Sequence, residues 1–102
     1  RMVQIRLQSV EKSLVEKAAF EISRFLQRGI KLLSEKGVQM TLLGPAPCPL
    51  AKMRGKYRWQ LLLKSSQRNP LEWLILEWRK REQESPLSRV QIFIDVDPLQ
   101  ML

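Results

Sequence analysis

Several residue types on which enzymes depend are scarce or absent in this chain of 102 residues. Histidine does not occur, and cysteine occurs once, as Cys48. Without histidine the chain lacks the commonest general acid-base group, and no base is evident beside the single thiol, so the sequence predicts no catalytic residue. A Gly-rich phosphate-binding loop is also missing. Because one cysteine cannot form an internal disulfide, the composition favours a reducing, intracellular compartment.

Long apolar segments are missing as well. No run approaches the roughly 18 apolar residues that a transmembrane helix requires, and the start of the chain lacks the apolar stretch of a secretory signal. We therefore expect no membrane partner. Asp95 and Asp97 form a closely spaced carboxylate pair, but Pro98 directly after them favours a terminal turn over a metal site. The sequence thus predicts no metal ion or other cofactor in this chain.

Acidic residues are few, and the imbalance of charge is greatest in the middle of the chain. There are 18 Lys and Arg against 10 Asp and Glu, which gives a formal charge of +8. No acidic residue lies between Glu35 and Glu72. The basic residues in that interval are Lys36, Lys52, Arg54, Lys56, Arg58, Lys64 and Arg68. Such a surface attracts phosphates by displacing counterions, whereas the alternative is a solvated basic face that binds nothing.

Alternating apolar and polar residues predict four strands, over residues 2–8, 38–42, 56–64 and 90–96. Apolar residues spaced by three and four predict a first helix with Ser9 as its N-cap and Gly37 as its stop, and with Gly29 as a candidate early break. A second helix is predicted to begin at Asn69-Pro70. Its predicted buried stripe comprises Leu71, Leu74, Ile75 and Trp78. Residues 44–49 contain three prolines, which remove backbone donors and predict a stiff loop.

This βαββαβ order predicts one α+β domain over residues 1–102, with a four-stranded antiparallel sheet and both helices on one of its faces. The other face of the sheet is then left open to solvent. Its predicted side chains are Gln4, Arg6, Gln39, Thr41, Arg58, Gln60, Gln91 and Phe93. Tyr57 and Trp59 alternate in step with the apolar residues of their strand, so we expect both to point toward the core. The open face therefore lacks the paired stacking aromatics of an RNA-recognition motif, and Phe93 is a single outward aromatic.

Trp73 lies off the buried stripe of the second helix, so we expect it to be partly exposed beside Arg68 and Lys64. An exposed tryptophan next to cations can anchor a binding partner. It is equally well explained by contact with further domains of a larger protein.

Three segments together resemble one protein family. They are GPAPCP at residues 44–49, RGKYRWQLLLK at residues 54–64 and IDVDP at residues 94–98. In this combination and at this separation they are similar to the carboxyl-terminal domain of the PriA family (primosomal protein N′), the bacterial replication-restart DNA helicases. The resemblance covers essentially the whole chain and implies a fold similar to that of a small-subunit ribosomal protein. Cys48 stands where a small residue such as alanine is expected.

The resemblance implies that the chain is a carboxyl-terminal fragment of a larger helicase that is cytoplasmic and nucleoid-associated in bacteria. The family's domain helps to bind forked and single-stranded DNA. With the helicase core it docks the acidic, Phe-ended tail of single-stranded-DNA-binding protein. Arg68 matches the basic position that serves this docking, whereas Glu72 stands where a neutral amide would suit an acidic tail better. Binding of ATP, magnesium and zinc belongs to other segments of the parent protein, so none is expected here.

The leading hypothesis is an accessory DNA-binding module that contacts phosphates through Lys52, Arg54, Lys56, Arg58 and Lys64. Arg68 and Trp73 are the predicted partner-binding residues, with Arg68 bound to a carboxylate of the partner. A second hypothesis is a ribosome-associated RNA-binding protein of the same fold, which would prefer A-form RNA to forked DNA. A third is a structural domain that braces the helicase lobes. In that case neutralising the basic residues would leave the DNA affinity of the parent protein unchanged.

Overall fold

Six secondary-structure elements follow one another in the order predicted from the sequence. In the computed structural model they are β1 Met2–Ser9, α1 Lys12–Ser34, β2 Met40–Met53, β3 Lys56–Ser65, α2 Arg68–Glu84 and β4 Gln91–Val96. The structure describes residues 1–84 and 89–97, and the side chains of residues 49–53 and 84 lie outside that description. The βαββαβ order and the α+β fold class are therefore confirmed.

The four strands form one antiparallel sheet in the order β2-β3-β1-β4. In the central strand β1, Ile5 is paired with Leu61 of β3 and with Ile94 of β4. Because side chains alternate along a strand, Val3, Ile5 and Leu7 all point to one face, and all three are buried. Both helices contribute to the core cluster on this same face, as predicted.

The core lies between this face of the sheet and the two helices. From α2 it takes the predicted stripe, Leu71, Leu74, Ile75 and Trp78, all of which are buried. Phe25 of α1 meets Trp78 edge-on, with 5.4 Å between the ring centroids. A Cβ atom at Gly29 of α1 would overlap the side chain of Leu74. The predicted early break at Gly29 is therefore wrong, because this glycine lies within an unbroken helix and lets the two helices approach closely.

The helix boundaries differ slightly from the predicted ones. Ser9 is the last residue of β1 rather than an N-cap, and its Oγ accepts a hydrogen bond of 3.1 Å from the backbone N–H of Glu11. Glu11 occupies the N-cap position of α1. α1 ends shortly before Gly37, whose φ of +81° is a conformation that favours glycine. α2 begins at Arg68, so Asn69 is its second residue rather than its N-cap.

The proline-rich segment 44–49 is not the predicted loop but part of β2. β2 is an edge strand, so no strand lies on its outer side. A proline there, which has no N–H, therefore removes no hydrogen bond to a neighbouring strand. The pairing with β3 shifts register twice in this region, so bulges accommodate the prolines. Because β2 begins at Met40, Gln39 of the predicted open face precedes the strand. The hairpin to β3 turns at Arg54 and Gly55, both of which have positive φ, as in a type I′ turn.

Candidate nucleic-acid interface and docking cleft

The face of the sheet away from the helices carries mostly polar side chains, which pair across the strands. Gln4 of β1 donates a hydrogen bond of 3.2 Å to Gln60 of β3. Gln8 of β1 and Lys56 of β3 both donate to the side-chain oxygen of Gln91 on β4. We call this surface the open face, and the residues that define it are Gln4, Arg6, Gln8, Lys56, Arg58, Gln60, Gln91, Phe93 and Asp95.

Arg6 and Phe93 lie opposite each other on the open face. Nη2 of Arg6 donates to Oδ2 of Asp95 at 3.0 Å, and the guanidinium carbon of Arg6 lies 5.8 Å from the centroid of the Phe93 ring. Phe93 is 43% exposed, which confirms its predicted outward orientation. The charge of Arg6 is thus balanced by Asp95, while part of the Phe93 ring remains accessible to a ligand.

Arg58 lies on β3, paired with Gln8 of β1. Within the described part of the chain, the side chain of Arg58 has neither a hydrogen-bond partner nor an ion-pair partner. Together with Arg6, Gln8 and Phe93 it lines a recess of about 210 Å³, which we call the open-face recess. The recess therefore combines an exposed aromatic ring, one cation balanced by a carboxylate and one cation without a counter-charge.

Cys48 lies on the strand that pairs with β3, the strand of Arg58. It is a buried residue of β2, not the loop residue that the sequence predicts. Burial raises the pKa of the Cys48 thiol, and the positive charges of Arg58 and Arg6 oppose that rise. The thiol is therefore protonated at neutral pH and is a poor nucleophile.

The structure brings only part of the predicted phosphate-binding set together. Arg54 in the hairpin turn is exposed, and Lys56 and Arg58 follow it at the start of β3. We call these three residues the hairpin cluster. Lys64 is exposed near the other end of β3, roughly 20 Å from Arg58 at the usual rise per residue of a strand. The side chain of Lys52 lies outside the described residues.

The predicted partner-binding residues lie on α2, beside an apolar cleft. Nε of Arg68 donates a hydrogen bond of 2.7 Å to Oε1 of Glu72, and this bond raises the pKa of Arg68. The cleft has a volume of about 310 Å³ and lies between α2 and the paired ends of β1 and β4. Its apolar lining residues are Val3, Leu71, Ile75, Leu76 and Val96, and its charged ones are Arg1, Arg68, Glu72, Arg79 and Asp97. Trp73 is 45% exposed, as predicted, but does not line this cleft.

The apolar cleft has no counterpart among the sequence predictions. Val3 and Val96 come from opposite ends of the chain and meet only because β1 and β4 are neighbours in the sheet. One signal was present in the sequence, since Leu76 is an apolar residue that falls outside the predicted buried stripe of α2. Leu76 is exposed in the structure and lines the cleft.

Within residues 1–84 and 89–97, no group of three or more His, Cys, Asp or Glu side chains is arranged to hold a metal ion. Neither of the two described helices is both long and apolar enough to cross a membrane.

Comparisons with known proteins agree with the sequence resemblance. Residues 1–99 match the family described as primosomal protein N C-terminal domain. The replication restart protein PriA of Haemophilus influenzae is 35% identical over 94 residues, which are 92% of this chain and 12% of that protein. The replication restart protein PriA of Bacillus subtilis is 33% identical over an alignment of 104 positions, which covers 99% of this chain and 12% of that protein. The chain thus spans about an eighth of the length of these relatives.

A solved structure supports the fold alone. The de novo designed protein Foldit4 superimposes with a TM-score of 0.56 at 14% identity, over 95% of this chain and 97% of the designed one. At such low identity the likeness concerns architecture and not function.

Proposed function

The chain belongs to the family of primosomal protein N C-terminal domains, and on this basis we propose that it is the accessory DNA-binding and partner-docking domain of a PriA-like replication-restart helicase. In this role it binds forked and single-stranded DNA, and it docks the acidic tail of single-stranded-DNA-binding protein. Unwinding driven by ATP and magnesium, and the binding of zinc, belong to other segments of the parent protein.

The observation that carries the DNA-binding proposal is the uncompensated positive charge of the hairpin cluster. Arg54 and Arg58 have no carboxylate partner among the described residues, and Lys56 donates to the neutral amide of Gln91. Basic groups that lack a counter-charge within the protein bind phosphates and release condensed counterions. Binding of this kind does not depend on base sequence, which suits a domain that acts at forks of any sequence.

The docking proposal is supported by the chemistry of the apolar cleft. An acidic tail that ends in phenylalanine offers an aromatic side chain and several carboxylates. The floor of the cleft is aliphatic, with Leu71 and Ile75 from α2, and can accept an aromatic ring. Arg68 and Arg79 line the same cleft and can bind carboxylates. Because Glu72 already accepts a hydrogen bond from Arg68, tail binding requires Arg68 to exchange one carboxylate for another.

Binding to labelled nucleic acids tests the DNA-binding proposal. Fluorescence anisotropy of the 102-residue chain is measured with forked DNA, single-stranded DNA and structured RNA of equal length, across a series of salt concentrations. We expect salt-sensitive binding that favours forked and single-stranded DNA. The double variant Arg54→Glu, Arg58→Glu is expected to lose at least about tenfold in affinity, and the salt slope is expected to fall by about two, because two phosphate contacts are removed.

A charge-matched control separates this site from a general loss of positive charge. Arg24 and Arg28 are exposed on α1, away from the sheet's open face, so the variant Arg24→Glu, Arg28→Glu changes the net charge equally. We expect it to retain most of the DNA affinity. A preference for RNA would instead support the ribosome-associated alternative. Unchanged DNA affinity in the double variant Arg54→Glu, Arg58→Glu would support a purely structural domain.

A further inference from the structure

The open-face recess has features that sequence-independent attraction to phosphates does not explain. Phe93 is a large aromatic side chain that is partly exposed on a mostly polar face. The core uses the alternate residues of β4, since Ile92 and Ile94 pack against it from the other side of the strand. Phe93 therefore contributes little to the packing of the core, and part of its ring is accessible to a ligand.

We infer that the open-face recess binds one nucleotide of single-stranded DNA, with the base stacked on Phe93 and the adjacent phosphate bound by Arg58. The inference rests on the proposed DNA-binding function and identifies a contact surface and a mode of binding for it. Every base has a π-face, so an accessible aromatic ring beside a cation binds single strands with little regard to sequence. A duplex keeps its bases stacked on one another and cannot use the ring.

The two arginines of the recess have different electrostatic environments. Arg6 is held by the ion pair to Asp95 at 3.0 Å, and it lies over the Phe93 ring. Arg58 has no such partner among the described residues and lines the same recess. A phosphate bound by Arg58 gains a charge-assisted hydrogen bond without breaking an existing ion pair. Arg6 and Asp95 instead fix the position of the ring and the local charge beside it.

Asp95 has a second effect, because its carboxylate faces the same surface that attracts the phosphate. Neutralising it removes a repulsive charge and frees Arg6 to bind the strand. Asp95→Asn is therefore expected to raise the affinity for single-stranded DNA by about threefold at low salt, the scale of one partly screened surface charge. The increase is expected to vanish at high salt, where surface charges are screened.

The test measures the anisotropy of labelled oligothymidine, of the same strand without bases, and of a duplex of equal length. Phe93→Leu is expected to weaken oligothymidine binding by about tenfold, the scale of one stacked base, and to leave duplex binding and the salt slope unchanged. The strand without bases is expected to bind the Phe93→Leu variant as well as it binds the wild-type chain. Phe93→Tyr keeps an aromatic ring and is expected to restore the affinity.

Phe20 provides a matched control for the loss of a partly exposed phenylalanine. It lies on α1 and contacts Trp59, with 5.9 Å between ring centroids, so it is far from the open face in the fold. Phe20→Leu is expected to leave oligothymidine affinity unchanged. If Phe93→Leu binds oligothymidine as well as the wild-type chain while Arg54→Glu, Arg58→Glu does not, the stacking inference is wrong and the proposed function survives. If no DNA binds to the wild-type chain at low salt, both fail.

Discussion

Two arginines in different regions of the molecule differ in what an anionic partner would have to displace. Arg58 lies on the open face and has no partner among the described residues, whereas Arg68 on α2 donates a hydrogen bond of 2.7 Å to Glu72. A phosphate reaches Arg58 without displacing anything but water and counterions. A carboxylate that binds Arg68 must replace one that is already there. The first region is therefore suited to permissive binding, and the second to binding that depends on further contacts.

Those further contacts differ between the two regions as well. Beside Arg58 the open-face recess is lined by the polar side chains of Arg6 and Gln8, by the ring of Phe93 and by Leu7. Beside Arg68 the neighbouring cleft is aliphatic, with Leu71 and Leu76 among its lining residues. Polar contacts to a repeating backbone give affinity with little selectivity, whereas an apolar cleft selects a partner that carries a complementary side chain. We therefore expect the two regions to be separable by mutation.

The largest expected effect is a crossover between two charge reversals. Arg68→Glu is expected to weaken binding of a synthetic acidic peptide that ends in phenylalanine by at least about tenfold, because a charge-assisted hydrogen bond is replaced by repulsion. The same variant is expected to bind oligothymidine within about twofold of the wild-type chain, because screening limits the effect of a distant charge. Arg58→Glu is expected to give the opposite result. Titrations of both ligands into both variants measure the crossover.

The crossover has a clear contrary outcome. If both variants lose both ligands in parallel, the two arginines contribute to one general positive field rather than to two sites. Circular dichroism of each variant checks that the fold is retained, which is expected because both side chains lie at the surface and neither belongs to the core cluster.

A smaller effect is expected from Glu72→Gln, which relieves the competition for Arg68. The amide is a weaker acceptor than the carboxylate, and it no longer repels an acidic tail. We expect the affinity for the acidic peptide to rise by about threefold, the scale of one surface ion pair, while oligothymidine binding stays the same. Isothermal titration of both ligands checks this. Glu77→Gln, which removes a carboxylate paired with Lys80 one turn along the same helix, serves as the control for loss of a negative charge on α2 and is expected to have little effect.

The fold could largely be predicted because its strands and helices have clean periodicity. Val3, Ile5 and Leu7 alternate with polar residues and are all buried, as the pattern requires. The errors arose where tertiary structure overrides local preference. Residues 44–49 join a strand because β2 lies at the edge of the sheet, and no local signal shows which strand will be an edge. Gly29 stays within α1 because the second helix packs against it.

The candidate sites could be predicted where they depend only on which face of a strand a residue occupies. Alternation along β3 and β4 places Arg58 and Phe93 on the same face, which the sequence shows directly. The ion pair between Arg6 and Asp95 could not be predicted in the same way, because it depends on the register between the first and last strands. The i, i+4 spacing of Arg68 and Glu72 does predict their contact, although not the cleft beside it.

The smallest expected effect concerns Cys48, which reports on the charge of Arg58. Burial raises the pKa of the Cys48 thiol, and Arg58 and Arg6 oppose the rise. The midpoint of the alkylation rate against pH is therefore expected to lie above the ordinary value for cysteine, about 8.5. Removing a positive charge with Arg58→Gln is expected to raise the midpoint further, because one of the two charges that oppose the rise is lost. Arg68→Gln, on α2, serves as the control and is expected to leave it unchanged.

The same shift links the stability of the chain to pH. The pKa of this thiol is higher in the folded than in the unfolded state, so the protonated thiol favours folding. Its contribution to the free energy of unfolding is complete below the ordinary pKa of cysteine. That contribution is lost as the pH rises through the folded-state pKa. The free energy of unfolding of the wild-type chain should therefore fall with alkaline pH more steeply than that of Cys48→Ala. If the free energies of unfolding of the two chains, measured by urea titration, instead change with pH in parallel, burial does not raise the pKa of the thiol. Cys48 then reports nothing about Arg58.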